Sequence, residues 1–420
     1  MRRAGWLGLL ALVLVPPSLP AQAPPTTRVA AYLVTFGPGA ELWERFGHNA
    51  LLFRDSVSGE SVGYDFGRFD FLKPGFVLAF ARGRMEYWMG REDGVALINH
   101  YIGLGRPVWL QELNLASDVV AALRDSLEST LSRDRGLYRY DYYRDNCSTR
   151  IRDALDVAAG GALGRRLKAD TTDLTLRDHS RMALVYSLPI YAGVMAALGP
   201  ATDRRVTAWE AAFLPVQLMR HIQQVEVTGS AGQPEPLVRG AVQLAESELF
   251  AVPESVPVWP LRRLAMVGVF GAMVLVLLAL GGTRSGVLRW GFLAAAALWQ
   301  LAVGLSALAL FWFWGLSEHV AAHRNANVLH FTIVAFVFLA VVPGMIRGNA
   351  PRLRIGLLCA RLGVALSLVG VLVALSGLVG QQMTEVTVLT FPLHAGVLAG
   401  MSLLVRTRTP SPSGVPTLPR

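Results

Sequence analysis

The sequence predicts an α+β exported domain followed by an all-α membrane domain of five transmembrane helices. Three observations carry this. Hydrophobic residues make up 53% of the 420 residues and charged residues only 16%, a balance too apolar for a purely soluble chain. Charge is concentrated in residues 24–255, whereas long apolar runs dominate residues 262–405. Strand-like and helix-like periodicities mix within the first half, whose roughly 230 residues suffice for one domain with a sizeable core.

Met1-Arg2-Arg3 precedes a short apolar run, Gly5–Pro17, and small residues near Ala21 and Ala23. This is the pattern of a secretory signal peptide, residues 1–21. Pro24 disfavours cleavage after Ala23, which leaves Ala21; an uncleaved anchor is the alternative. The exported domain then covers residues 24–255. Arg28–Thr35 reads as a buried strand, followed by the Gly37-Pro38-Gly39 turn and a short helix over Leu42–Phe46. Ala50–Arg54 and Ser61–Phe66 read as strands around an Asp55–Gly59 turn, and Pro107–Asn114 as another. Asp118–Ser132 has helical spacing with Ser117 as N-cap. The aromatic run Tyr138–Tyr143 leads into Asp145-Asn146-Cys147. Ile151, Leu155 and Ala158 then repeat at helical spacing within Ser148–Ala159. Asp145 or Asn146 caps that helix and leaves Cys147 in its first turn. Beyond Gly160 the pattern is helical and irregular.

Prolines at 253, 257 and 260 make a stiff linker, assigned to residues 256–263, into the membrane domain at 264–405. Five runs are long enough to span a bilayer: Leu264–Leu280, Trp290–Trp314, Val328–Ile346, Leu362–Val379 and Val386–Val405. Arginines crowd the loops after spans one and three and the tail at 406–420, while the opposite loops hold only Arg324. The positive-inside rule places the arginine-rich loops in the cytoplasm and the first domain outside, as the signal peptide requires. Arg262 and Arg263 are the exception. In a bacterium this is a multi-pass protein of the inner membrane with a periplasmic N-terminal domain.

The net charge is +9, yet only Lys73 and Lys168 among the 39 basic residues are lysine. Several arginines set topology, and others suit lipid phosphates. No basic run interleaved with aromatics points to nucleic acid.

Chemistry centres on two cysteines. Cys147 lies in Asp-Asn-Cys-Ser-Thr-Arg, in the exported half, and Cys359 lies inside an apolar run. Their environments argue against a mutual disulfide, and a free thiol in an oxidising compartment suggests a nucleophile. A buried inert cysteine is the bland alternative. A helix start and a nearby imidazole favour the reactive thiolate. Among the exported histidines, His48 in Phe-Gly-His-Asn-Ala begins a strand beside a glycine and is the best base. His100 follows a polar stretch, His179 sits in a charged turn, and His221 continues an amphipathic helix.

Phe-Gly-His-Asn-Ala, Tyr-Asp-Phe-Gly-Arg-Phe-Asp-Phe and Tyr-Arg-Tyr-Asp-Tyr-Tyr-Arg-Asp-Asn-Cys-Ser-Thr-Arg together resemble the Lnb N-terminal periplasmic domain family, formerly a domain of unknown function. The resemblance covers most of residues 30–215, including Trp209–Pro215. The order of histidine before cysteine is also similar to permuted papain-like enzymes of the NlpC/P60 and lecithin–retinol acyltransferase kind. That similarity implies a permuted papain-like fold with a strand-borne His48 and a helix-borne Cys147. It also implies a third polar group orienting the imidazole: Asp65, or Tyr64 beside it, with Asn49 competing. Family members with a membrane-embedded second half look like lipoprotein N-acyltransferases. By that resemblance Cys147 takes an acyl chain from a membrane phospholipid as a thioester. The N-terminal amine of a diacylglyceryl lipoprotein then accepts it, with no cofactor.

Asn146 and Asn49, flanking the two reactive residues, are candidate substrate contacts. A second polar patch, Glu318-His319-Val-Ala-Ala-His323-Arg324-Asn325-Ala-Asn327, lies between spans two and three on the Cys147 side. On a helix His319 and His323 share a face; zinc would need Glu318 or His330 as a further ligand. Interfacial residues that cap the spans, and recognition of a phosphate or an acceptor amine by His319, His323, Arg324, Asn325 and Asn327, are the readings preferred over metal. Arg361 and His394, in or near apolar runs, are further polar residues at membrane depth. A cysteine hydrolase of wall peptides or lipids, using the same dyad with water, and a non-catalytic envelope receptor are the competing readings.

Overall fold

A computed structural model of the chain describes residues 29–229, 232–247, 251 and 253–407. The signal peptide assigned to residues 1–21 and the tail beyond residue 407 lie outside the described residues. The exported half is built on an antiparallel sheet. Its strands are β1 (Val29–Phe36), β2 (His48–Asp55), β3 (Ser61–Arg68), β4 (Glu86–Asp93), β5 (Val108–Leu113) and β6 (Tyr138–Arg139), with a late strand, Val238–Ala245. Their order is late strand, β5, β1, β2, β3, β4, β6. The first strands are rich in Val, Leu, Phe and Tyr because both faces of the sheet are covered.

Helix α1 (Phe76–Arg82) joins β3 to β4, and α2 (Gly94–Gly103) joins β4 to β5. Helices α3 (Ser117–Ser132) and α4 (Cys147–Ala158) follow. Leu33, Leu51, Phe53 and Tyr64 pack with α3 and α4 on one face; Val34, Phe36, Ala50 and Leu52 meet Leu97 of α2 on the other. Ile151 and Leu155 of α4 are at most 1% exposed, and each such side chain stabilises by about 1.5–3 kcal/mol. This burial fixes the helix whose first residue is Cys147.

Strand β2 begins two residues earlier than its apolar pattern suggested, because β1 pairs along its whole length and puts Phe36 opposite His48. The sequence pattern did not reveal β4, whose Glu-Tyr-Trp-Met-Gly-Arg-Glu-Asp carries charges at both ends. Nor did it reveal the late strand, which pairs only with β5 at the sheet edge.

The five apolar helices run Trp259–Gly282, Gly286–Gly315, Ala326–Ile346, Ala350–Ser376 and Thr384–Arg406. Each is long enough to cross a membrane. The first starts inside the segment read as linker, with Pro260 in its opening turn. The fourth starts at Ala350 rather than Leu362, because Asn349 caps it by accepting from the Arg352 amide at 3.1 Å. It ends at Ser376 where Gly377 adopts φ 69°.

The exported half rests on the end of the bundle formed by the 316–325 and 377–383 loops, opposite Arg284 and Arg347. Arg181 bonds Glu385 of the fifth span at 2.7 and 3.0 Å, and the Gly199 amide donates to the Ala321 carbonyl at 2.7 Å.

Candidate active site

The thiol is placed by a loop that exhausts its own polar groups. Asp141 Oδ1 accepts from the amides of Tyr143 and Arg144, both at 3.0 Å, folding the aromatic run into a turn. Asn146 then caps α4: its Oδ1 accepts from the amides of Ser148 and Thr149 at 3.0 and 2.9 Å. Its Nδ2 donates to the carbonyls of Tyr142 and Phe213, both at 2.9 Å. The Ser148 hydroxyl donates to the Ala212 carbonyl at 2.7 Å. With the next two amides committed to the cap, the amide of Cys147 has no partner among the described residues.

His48 opens β2 after Gly47, whose φ of +83° and 2.8 Å clearance between a built Cβ and the Phe36 carbonyl admit only glycine comfortably. The imidazole lies between two partners. Its Nε2 is 3.1 Å from Asp65 Oδ2, and the Cys147 side chain stands on the same cavity wall, near enough to act on the ring electrostatically. Tyr101 of α2 stacks on it at 5.8 Å between centroids, and Arg106 lies over Tyr101 at 4.6 Å. Asp65 is buried, and its other oxygen accepts from Arg68 Nε at 2.8 Å. Gly67, at φ +98°, brings the end of β3 against the thiol: a built Cβ there would sit 3.4 Å from Cys147 Cβ.

Electrostatics follow from this packing. Burial works against a charged imidazole, but the neighbouring Tyr101 and Cys147 side chains and the bond to Asp65 outweigh it. The His48 pKa is held well above its usual value. Burial alone would raise the Asp65 pKa; His48 and Arg68 reverse that and hold it below the usual carboxylate value. Asp65 therefore stays ionised beside a ring poised to carry a proton.

Two residues suggested for the third position do not reach the imidazole. Tyr64 alternates with Asp65 and points to the opposite face, where its hydroxyl donates to Glu128 of α3. Asn49 alternates with His48, and its Nδ2 donates to Thr35 Oγ1 at 2.8 Å. Asn146 supports the helix and spends its side chain on the cap.

The polar patch after the second span also differs from its sequence reading. Residues 320–322 form one 3-10 turn, so His319 and His323 do not share a helical face. His319 Nε2 lies 2.7 Å from the Phe80 carbonyl and His323 Nε2 3.0 Å from the Ser317 carbonyl. Among the described residues no group of three His, Cys, Asp or Glu converges to hold a metal. Asn325 and Asn327 both donate to the Ala196 carbonyl, at 2.8 and 3.0 Å, locking the loop to the exported half. Arg324 is exposed. Of this patch, His319 borders the cavity that holds the thiol; Arg324, Asn325 and Asn327 do not.

That cavity has a volume of about 1200 Å³, above the ~300–1,000 Å³ of ordinary small-molecule pockets. Cys147, His48 and Asp65 stand on its wall; Phe69, Phe76, Tyr142 and Phe313 supply much of the remainder. It extends from the sheet to the outer end of the second span. Sequence reasoning gave no role to Arg68, although it stands inside the Tyr64–Phe71 motif three residues after Asp65, and it missed Arg106, which left no signal.

Residues 21–178 match the Lnb N-terminal periplasmic domain family, the family to which the motifs pointed. The match stops before the 209–215 segment, which the motif reading had included. No curated protein and no solved structure matches the chain. Together, the family match and the five apolar helices describe a multi-pass membrane protein with a periplasmic N-terminal domain.

Proposed function

With an Lnb-type periplasmic domain on five apolar helices as the premise, we propose that this protein is a thiol acyltransferase of the bacterial inner membrane. In this reading it moves an acyl chain from a phospholipid to the N-terminal amine of diacylglyceryl lipoproteins. The observation that carries the reading is the His48 ring, bonded to Asp65 and beside Cys147, at the wall of a large apolar cavity lined by both the exported half and the membrane half. A strand-borne histidine preceding a helix-borne cysteine also supports a permuted papain-like arrangement for the domain.

His48 takes the proton of Cys147, and the thiolate attacks the ester carbonyl of the lipid. The oxyanion faces the unpartnered Cys147 amide at the positive end of α4. Collapse breaks the carbon–oxygen bond, and His48 returns its proton to the departing alcohol, leaving a thioester and a lysophospholipid. The lipoprotein amine then attacks the thioester, His48 receives its proton, and the carbon–sulfur bond breaks to give the amide and free Cys147. Asp65 holds the ring and stabilises its charged form in both halves.

The test is mass spectrometry of lipoprotein N-termini from cells depleted of their own N-acyltransferase and supplied with this protein or with Cys147→Ala. N-acylated termini with the parent and free amines with the variant support the reading. Free amines in both, at equal protein levels, overturn it and favour hydrolysis.

A further inference from the structure

Helix α1 has no buried residue, and the turn before it is as apolar. Leu72 is 90% exposed and Val77 77%, with Phe71, Leu78 and Phe80 also exposed. In a water-soluble domain so dense an apolar patch marks an interaction surface. What covers it is indicated by where the helix is tied. The last carbonyls of α1, those left over by any helix end, are taken by the membrane half. Trp312 Nε1 donates to the Ala81 carbonyl at 2.8 Å, and the Glu318 amide to the Arg82 carbonyl at 2.9 Å. His319 Nε2 meets the Phe80 carbonyl at 2.7 Å. Arg84 adds an ion pair with Glu318 at 2.7 Å.

Trp312 stands three residues before the outer end of the second span, about 4.5 Å along its axis. Tryptophans at such ends mark the boundary of headgroups and hydrocarbon. Helix α1 is thus bolted to the bundle at that depth, where exposed leucines meet lipid. Arg82 follows the apolar stretch, at the height where cations meet lipid phosphates, and Lys73 within it pairs with Glu86 at 3.1 Å. Phe69 and Phe76, with the partly exposed Phe71, Val77 and Phe80, line the cavity of Cys147, whereas Leu72 and Leu78 stand outside its wall.

We propose that the segment from Phe71 to Phe80 is inserted in the outer leaflet of the bilayer and frames a doorway through which a lipid chain passes sideways into the cavity. Insertion rests on the membrane reading alone; the doorway rests on the proposed acyl transfer.

The experiment uses the full chain in phospholipid nanodiscs, with Cys147→Ser and Cys359→Ala and a single labelled cysteine at Leu78→Cys or, as an exposed control on α4, Val157→Cys. Quenching of the label at 78 by lipids spin-labelled near the top of the acyl chain, with the label at 157 quenched by aqueous iodide, is the expected result. Iodide quenching at both positions, without quenching by lipid, overturns insertion. For the doorway, Leu72→Asp with Leu78→Asp, two residues outside the cavity wall, is compared with the parent. Loss of about ten-fold or more in rate with bilayer phospholipid, and none with a water-soluble short-chain ester, is expected. Equal rates with both donors, or equal loss with both, overturns the doorway. Inactivity of the parent on every ester would count against acyl transfer and leave the quenching result to decide insertion.

Discussion

Arg181 and Glu385 meet through two hydrogen bonds, of 2.7 and 3.0 Å, at the junction of the exported half with the fifth span. Tyr191 donates to the same carboxylate at 3.0 Å, and Arg181 also holds Asp178 and Gln382, each at 2.7 Å. Both charged side chains are buried. Removing one partner leaves an uncompensated buried charge, so Arg181→Ala is expected to destabilise by about 3–5 kcal/mol. A thermal melt in detergent reads this. Combining Arg181→Met with Glu385→Met should restore part of the loss, since Glu385 no longer leaves a buried charge while Asp178 still loses its arginine.

A second prediction concerns the covalent intermediate. Purified protein given phospholipid and no amine acceptor should gain one acyl chain on the peptide containing Cys147, released by hydroxylamine. Cys147→Ser should show no hydroxylamine-labile adduct and turn over at least ~10³-fold more slowly. Intact-mass and peptide spectra check both.

The raised pKa of His48 has a defined pH signature. Below about 6.5 the ring is protonated in folded and unfolded chains alike, so its stabilising contribution is fully present there. It is lost as pH rises through the higher folded pKa. Denaturant titrations between pH 6 and pH 9 should show the parent losing stability relative to His48→Gln as pH rises. For Asp65, whose pKa is lowered, the contribution is present above the unfolded value near 3.9 and disappears as pH falls through the folded one.

Asp65→Asn keeps the shape of the site and removes its negative charge. The His48 pKa then falls, so the limb of the rate profile that reports His48 should move to lower pH. Loss of imidazolium stabilisation should reduce kcat/KM by about 10²-fold or more. Tyr64→Phe, which touches Glu128 rather than His48, should leave that profile in place.

Asn146 is both acceptor and donor, which separates two substitutions. Asn146→Ala loses the cap, a cost of about 1–2 kcal/mol, and strands two carbonyls. Asn146→Asp keeps the cap but turns a carboxylate oxygen toward the carbonyls of Tyr142 and Phe213. Both variants should melt earlier and lose rate, and the aspartate should be no better than the alanine. Thermal melts beside rate measurements test this.

Much of this arrangement could be read locally. A cap residue before a helical repeat puts Cys147 on the first turn of α4, and a Gly-His pair ahead of an apolar run puts His48 at a strand end. Choosing between Asp65 and Tyr64 required the phase of β3, which sequence leaves open when both neighbours are plausible in a buried strand. Asn325 and Asn327 read as substrate contacts because their actual acceptor, the Ala196 carbonyl, lies in a distant part of the chain. Backbone carbonyls carry no side-chain signature. Helix α1 was invisible for a related reason: its apolar residues follow the logic of a lipid surface, and its hydrogen-bonding partners come from the second span.

The cap on α4 draws one of its two acceptors from Phe213, and Ser148 leans on Ala212, both beyond the last residue of the matched family segment. A gene fragment cut at residue 178 would encode Cys147 and His48 but not the brace behind them. The unit that can be transplanted between proteins is therefore larger than the recognisable domain, and its natural boundary lies no earlier than Ala245, where the strand paired with β5 ends.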